Sequence, residues 1–304
     1  MNILITGING FVGKHLTKEL VNFGHQVYGI GTEDLPNQQI ESLIADYQSA
    51  DLSRKFPPSS HRIDAIIHLA GLAAVGPSFD QPQAYISINS AIFTNICEYY
   101  LGKNEDPRIL VVSSASIYDP HQPMPIDETS PVVFTSPYSV SKVLLENQAQ
   151  YYNSRGMHCT VVRPFNHIGP EQGLGFLIPD LTDRIIKSDN GSNEITVGNL
   201  TTKRDYTDVR DVVRAYRLII AADKLPNHFL YNVCSGVSYS GEEILNYIVH
   251  LLKIKMPSII VEQSLIRPND IPEIRGNNLR LVNEYNWQPK YTIKQTIRDY
   301  LASR

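Results

Sequence analysis

Cysteine is scarce in this chain, and so are the marks of a secreted, membrane-bound or nucleic-acid-binding protein. The three cysteines, Cys97, Cys159 and Cys234, are odd in number, far apart and without CxxC spacing. That excludes a disulfide framework and a zinc site, leaves no metal expected, and fits reduced thiols buried in a cytoplasmic protein. Long hydrophobic runs are lacking too: the start, Met1-Asn2-Ile3-Leu4-Ile5-Thr6-Gly7, is a short apolar run closed by glycine with no basic leader, and no later stretch is long enough to span a bilayer. Charge of one sign is also missing. With 27 Lys and Arg against 31 Asp and Glu dispersed along the chain, the formal charge is -4 and no basic stripe is available for nucleic acid or a membrane surface.

What is present is apolar sequence in alternating lengths. Of 304 residues, 42% are hydrophobic, enough to bury one large core or two closely associated ones. Strand-length runs at 2–6, 26–30, 64–70 and 108–113 alternate with helical patterns at 11–23 and 82–101, and the series continues with a helix at 137–155 and a strand at 157–163. Such alternation predicts an α/β fold, a Rossmann-type doubly wound parallel sheet covered by helices. Past Pro164 the texture turns to Pro- and Gly-rich turns, short mixed elements and a last helix near 293–301. The expected division is a dinucleotide-binding domain at 1–163 with a returning segment at about 205–234, and a smaller C-terminal α/β substrate lobe at about 164–204 and 235–304. The loop at 119–137 holds five prolines and is expected to border the site.

The first strand runs into Thr6-Gly7-Ile8-Asn9-Gly10-Phe11-Val12-Gly13, which precedes a helix. There Gly7 can make the tight turn, Gly10 can admit a pyrophosphate to the backbone, Gly13 can seat helix on sheet, and the helix N-terminus faces the phosphates. The cofactor is therefore NADPH or NADH. The second strand ends in Gly31-Thr32-Glu33-Asp34, so the position where an acid would hold the ribose 2′-hydroxyl is glycine and Thr32 offers no arginine for a 2′-phosphate. Glu33 or Asp34 could reach the ribose and Lys14 a phosphate, and the choice stays open. Asp46 or Asp51 could bond adenine; Asp46 is preferred because it closes an expected third strand at 42–45. Leu69, Ala70 and Gly71, after His68, are small enough to admit the cofactor's ribose, and His68 itself reads as a satisfied core histidine.

Tyr138-Ser139-Val140-Ser141-Lys142 opens a helix behind Pro137, and the four-residue step puts Tyr138 and Lys142 on one face. A free phenol titrates near 10, and a neighbouring ammonium favours its phenolate, so the spacing has chemical content. A solvated helix face is the plain alternative. The strand at 108–113 ends in serines, so Ser114 can hydrogen-bond a reacting oxygen at the carboxyl edge of the sheet, where ligands of such folds sit. Asp208 and Asp211 read as a helix cap and a first-turn acid, not as catalysts.

Together, the glycine loop, His68-Leu69-Ala70-Gly71, Ser114, Tyr138 and Lys142 resemble the extended short-chain dehydrogenases that act on nucleotide-activated sugars, over almost the whole chain. The runs 163–170, 197–200, 203–216, 231–236 and 267–272 are similar to the reductases of GDP-4-dehydro-6-deoxy-D-mannose. The resemblance implies that Ser114, Tyr138 and Lys142 are catalytic and that Arg163 lies beside the cofactor. It also implies that Ser114, Ser116, Asn166, Val197, Arg204, Arg267 and Asp270 meet the substrate, Val197 at the base and the arginines at the diphosphate, with surface ion pairs as the plainer role for those arginines. A homodimer through helices 82–101 and 137–155 is expected, the faces of Ile88, Ile92, Phe93, Ile96, Val143 and Leu144 being able to pair or to pack on their own sheet.

Dehydratases of this type carry acids two or three positions before the tyrosine that is Tyr118 here, where this sequence has Ala115 and Ser116. Neither titrates usefully, so reduction of a 4-keto sugar, which needs one proton donor, is favoured over 4,6-dehydration. Reduction or epimerisation of another nucleotide sugar, and a catalytically silent nucleotide-binding regulator, are the alternatives.

Overall fold

A computed structural model describes residues 1–189, 191, 193–266 and 271–304. Arg267 and Asp270 therefore lie outside the described residues. The chain begins β1 (Asn2–Thr6), α1 (Phe11–Asn22), β2 (Gln26–Gly31), β3 (Asp46–Ser49), β4 (Ala65–His68), α2 (Val75–Ser78), α3 (Pro82–Lys103), β5 (Arg108–Val112), α4 (Pro137–Ser154) and β6 (His158–Pro164). It continues β7 (Asn166–Ile168), α5 (Leu177–Asp189), β8 (Glu194–Val197), β9 (Lys203–Asp208), α6 (Val209–Ile220), β10 (Leu230–Val233), β11 (Ser238–Ser240) and α7 (Gly241–Leu252). After these come β12 (Ser258–Val261), β13 (Glu273–Ile274), α8 (Leu279–Tyr285) and α9 (Ile293–Ala302).

Seven strands form one parallel sheet in the order β10-β6-β5-β4-β1-β2-β3. The alternation of side chains along each strand divides its apolar residues between two layers. Ile3, Ile5, Ala65, Ile67, Leu110 and Val162 face the core shared with Leu16 and Leu20 of α1 and Val212, Val213 and Tyr216 of α6. Leu4, Ile66, Ile109, Val111 and Val161 face the core shared with Phe93 and Ile96 of α3 and Leu145 and Ala149 of α4. Burial of each such side chain contributes roughly 1.5–3 kcal/mol. Consequently Ile92, Phe93 and Ile96, considered above for a dimer interface, are committed to their own sheet.

The strand order reverses between β1 and β4, which opens a crevice above their carboxyl ends, the usual ligand position of an open parallel sheet. The lobe beside it is built on β9, which pairs with β7, β11 and β13, and on the two-stranded sheet of β8 and β12. Its core gathers Ile178, Leu181 and Ile185 of α5, Ile244 and Ile248 of α7 and Ile297 of α9. Two segments depart from the expected division. Strand β9, assigned to the returning segment, pairs within the lobe, whereas Leu281 of α8 and Trp287 return to the core under the sheet.

The third strand also differs from its expectation. Residues Glu41–Leu43 form a 3-10 turn and the strand occupies Asp46–Ser49. Asp46 thus opens β3, level with Tyr28 and three residues before the strand's carboxyl edge at Ser49.

Candidate active site

The carboxyl ends of β1 and β4 approach so closely that a Cβ on Gly7 would lie 2.9 Å from the Ala70 nitrogen. Gly7 also has φ +72°, a left-handed conformation that glycine adopts without strain. A Cβ on Gly13 would meet the carbonyl oxygens of Ile8 at 2.3 Å and Gly7 at 2.7 Å, so only glycine lets α1 close on the loop. Gly10 caps α1 without a side-chain hydrogen bond, and no acid stands in the first turn. The helix therefore presents amide donors and the positive end of its dipole, as a dinucleotide pyrophosphate requires. Phe11 and Val12 begin that helix, and Phe11 stacks on His167 with ring centroids 6.2 Å apart.

Asn9 ties this loop to the end of β2. Its amide donates to Glu33 Oε2 at 3.0 Å and accepts from the Asn37 backbone at 2.8 Å. Thr32 is exposed at the same edge. Asp46 is a correction: at the opening end of β3 it faces His61 at 3.3 Å, away from the carboxyl edge. Asp51, past that edge, is the acid on the cofactor's side of the sheet, where its carboxylate accepts the backbone and hydroxyl of Ser53 at 3.0 and 2.6 Å. Lys14, considered for a 2′-phosphate, pairs with Glu171 at 3.2 Å.

Helix α4 delivers the Tyr138–Lys142 pair. Ser136 caps it by accepting from Ser139 N at 3.1 Å while Ser139 Oγ returns to Ser136 N at 3.0 Å, and Pro137 follows the cap. This reciprocal cap fixes the first turn. Tyr138 and Lys142 then lie one turn apart, with the ammonium 5.7 Å from the phenol ring centroid. Lys142 Nζ donates to the Val112 carbonyl at 2.8 Å. Burial lowers its pKa to about 8, against the opposing pull of the Glu146 carboxylate.

Burial and neighbouring hydroxyls also act on the phenol. Burial pushes Tyr138 up, while a hydrogen bond with the Ser114 hydroxyl pulls it down and the Tyr85 phenol adds to the rise. The Lys142 ammonium, anchored on the Val112 carbonyl, stays within 5.7 Å of the ring centroid. A protonated phenol bonded to Ser114 is a proton donor. Ser114 caps the 3-10 turn Ala115–Ile117 and its hydroxyl donates to Ser116 Oγ at 3.0 Å.

His68 is buried, bonded to Thr6 Oγ1 at 2.9 Å, and burial together with the nearby Lys142 charge drops it to about 3. It is neutral at any working pH. Leu69 and Ala70 are partly exposed at the end of β4. Gly71 follows with no side chain, and a Cβ there would lie 2.7 Å from Asn89 Oδ1.

Two residues not singled out from the sequence support this site. Asn89 of α3 accepts from Leu72 N at 2.8 Å and donates to Ser141 Oγ at 3.0 Å, joining the Gly71 segment to the catalytic helix. Its signal was a polar residue on the buried stripe Tyr85, Asn89, Ile92, Phe93, Ile96. Glu146, two turns beyond Tyr138, receives Arg163 in a forked pair of 2.8 and 2.6 Å. Arg163 is accordingly corrected: 6% exposed, paired with Glu146 and lying over the Tyr118 ring at 4.6 Å, it braces the catalytic helix from beneath the cofactor crevice.

On the substrate side, Asn166 and Ser116 are exposed. Arg204 Nη1 donates to the carbonyls of Lys203 and Ile271 at 2.8 and 2.9 Å. Val197 is a correction: at 1% exposure its side chain packs within the lobe core. Asp208 caps α6 and pairs with Arg210, and Asp211 stands in the first turn, as their sequence position predicts.

A family model described as GDP-mannose 4,6 dehydratase matches residues 4–300. The chain belongs to that family. It is an NAD(P)-dependent enzyme of the extended short-chain dehydrogenase/reductase class, which modifies nucleotide sugars, and its cofactor is NADPH or NADH. It is 30% identical over 305 residues to the GDP-6-deoxy-D-mannose reductase of Pseudomonas aeruginosa, covering 99% of this chain and 96% of that one. It is also 30% identical over 309 residues to the GDP-6-deoxy-D-talose 4-dehydrogenase of Aggregatibacter actinomycetemcomitans, covering 98% and 95%. The solved structure of RMD from Pseudomonas aeruginosa complexed with NADPH superimposes with a TM-score of 0.84 at 28% identity, covering 99% of this chain and 98% of that one. Among the described residues no helix is long and apolar enough to cross a membrane, and no group of His, Cys, Asp and Glu could hold a metal ion.

Proposed function

We propose that this enzyme reduces the C4 ketone of GDP-4-dehydro-6-deoxy-D-mannose to give GDP-D-rhamnose, in the biosynthesis of surface polysaccharide or another glycan. The observation that carries the reading is a buried Tyr138 on the face of α4 that also carries Lys142, with Ser114 capping a turn that offers Ala115 and Ser116 where dehydration needs acids. The names of the two relatives at 30% identity, a GDP-6-deoxy-D-mannose reductase and a GDP-6-deoxy-D-talose 4-dehydrogenase, support the substrate class.

The bound cofactor supplies the hydride. Tyr138 gives its proton to the carbonyl oxygen, Ser114 donates a hydrogen bond to the same oxygen as charge builds there, and the Lys142 ammonium steadies that charge. Asn166, Arg204, Arg267 and Asp270 hold the sugar nucleotide, the arginines by charge-assisted bonds to its diphosphate. Packing of the lobe over the crevice keeps water from the reacting oxygen.

The test is incubation with enzymatically generated GDP-4-dehydro-6-deoxy-D-mannose and each reduced nicotinamide. Consumption of one cofactor per product, with a large H3–H4 proton coupling in the product, is the expected result. A small coupling would identify the C4 epimer, GDP-6-deoxy-D-talose, which the relative from Aggregatibacter makes a specific second reading. No consumption, or NAD retained through purification without net turnover, sinks the reductase assignment and points to an epimerase. The expected homodimer is proposed to use the outward residues of α3 and α4, with Tyr151 at 55% exposure among them, and sedimentation of the purified chain checks it.

A further inference from the structure

The end of β2 lacks the acid that would hold a ribose, yet the structure puts one in its place. A side chain on Gly31 would begin 2.8 Å from Glu33 Oε2 and 2.7 Å from the Tyr47 hydroxyl, so the space belonging to residue 31 is filled by a carboxylate reaching back from two residues later. One bond holds the carboxylate and two hold the backbone that carries it. Asn9 Nδ2 donates to Glu33 Oε2 at 3.0 Å, the Tyr47 hydroxyl donates to the Glu33 carbonyl at 2.6 Å, and Asn9 Nδ2 also reaches the Leu35 carbonyl at 3.2 Å. The donors come from the glycine loop and from β3, so the carboxylate is fixed at the joined carboxyl edges of β1, β2 and β3.

We infer that Glu33 accepts the adenosine ribose hydroxyls and restricts this enzyme to the unphosphorylated cofactor, NADH. Only one carboxylate oxygen is engaged by Asn9, and a carboxylate accepts bonds at both. A 2′-phosphate would bring further negative charge against Glu33 and the adjacent Asp34 without a balancing cation: 32–37 contains no Lys or Arg, Lys14 pairs with Glu171, and Arg54 pairs with Asp51. The glycine at 31 is then a requirement of the same device, since any side chain there would displace the carboxylate. The RMD structure was solved with NADPH, so on this inference cofactor choice differs within the family.

The inference rests on the dinucleotide site at the glycine loop and not on the sugar, so its test uses binding alone. Equilibrium titration of the full chain with NADH, NADPH and 2′-deoxy-NADH, read by protein fluorescence, is expected to give NADH a Kd at least about tenfold below that of NADPH, the scale of one charge-assisted hydrogen bond. Glu33→Gln and Glu33→Ala should each weaken NADH about tenfold, leave NADPH as tight or tighter, and abolish the difference between NADH and 2′-deoxy-NADH. Because Glu33 is exposed, both variants should keep the parent melting temperature. The inference is overturned if the parent binds NADPH as tightly as NADH, if the variants weaken both cofactors equally, or if the 2′-deoxy penalty survives in them. Failure of the chain to bind any dinucleotide overturns it together with the glycine-loop site, whereas failure of the sugar assignment leaves these titrations unchanged.

Discussion

In the proposed mechanism Tyr138 and Ser114 divide between them the work that general acid catalysis demands. At 7% exposure the phenol is shielded from water, and the hydroxyl of Ser114 moderates the rise in pKa that burial alone would cause. Replacement of Tyr138 by Phe removes one oxygen and leaves the ring in its edge-on packing with Tyr85, 6.4 Å between centroids. Turnover should therefore fall about 100-fold or more, the usual contribution of a positioned proton donor, while cofactor affinity changes little. Cofactor oxidation followed beside a binding titration separates the two effects, and unchanged turnover would remove Tyr138 from the mechanism. At this scale Tyr138, Lys142 and Ser114 were legible because spacing and strand ends place them. The anchoring of Lys142 was not, since its ammonium turns to a carbonyl 30 residues earlier in the chain.

Helix α4 works as a ruler, with Tyr138, Lys142 and Glu146 following one another at four-residue steps on its buried face. Glu146 holds the Lys142 charge up against desolvation, and Arg163 holds Glu146. Turnover that depends on the Lys142 ammonium should decline as pH rises through about 8. Stability moves the other way: the folded pKa lies below the ordinary lysine value, so between the two the unfolded chain binds more protons and folding is favoured as pH rises. Glu146→Gln removes the supporting charge, so the alkaline limb of kcat should shift to lower pH. It also leaves Arg163 buried without its partner, at a cost of about 3–5 kcal/mol in denaturant unfolding. A limb that stays in place in the folded variant would show that Glu146 does no more than brace the helix. The helix itself was readable from Pro137 and the serines around it. Its third functional residue was hidden because its partner sits on the following strand, where periodicity carries no information. The error at Asp46 has a similar origin: Leu43-Ile44-Ala45 looks like strand, but Glu41–Leu43 turn and pairing with β2 begins only at Asp46.

Across the whole molecule, a buried carboxylate ties the helix beneath the sheet to the segment that leads into the lobe. Asp211, fully buried on α6, pairs with Arg214 at 2.7 Å and accepts the backbone of Lys290 and Tyr291 at 2.9 and 3.0 Å. Its own carbonyl accepts the indole N–H of Trp287 at 3.1 Å. The chain thus returns through α8 and Trp287 to the core beneath the sheet before α9 enters the lobe, an excursion that local sequence could not reveal because its partners lie some 76 to 80 residues away. The cap-like position of Asp211 was legible and its partners were not. Asp211→Ala strands one guanidinium and two amide donors in a site the sheet and the lobe share, and should cost about 3–5 kcal/mol. Since Tyr138, Lys142 and the glycine loop stand on other elements, the variant below its lowered melting temperature should still bind the dinucleotide, while sugar-nucleotide affinity, which needs the lobe seated, falls. Thermal unfolding with and without each ligand checks this: loss of cofactor binding in the folded variant, or a parent-like melting temperature, would show that Asp211 does not join the two halves.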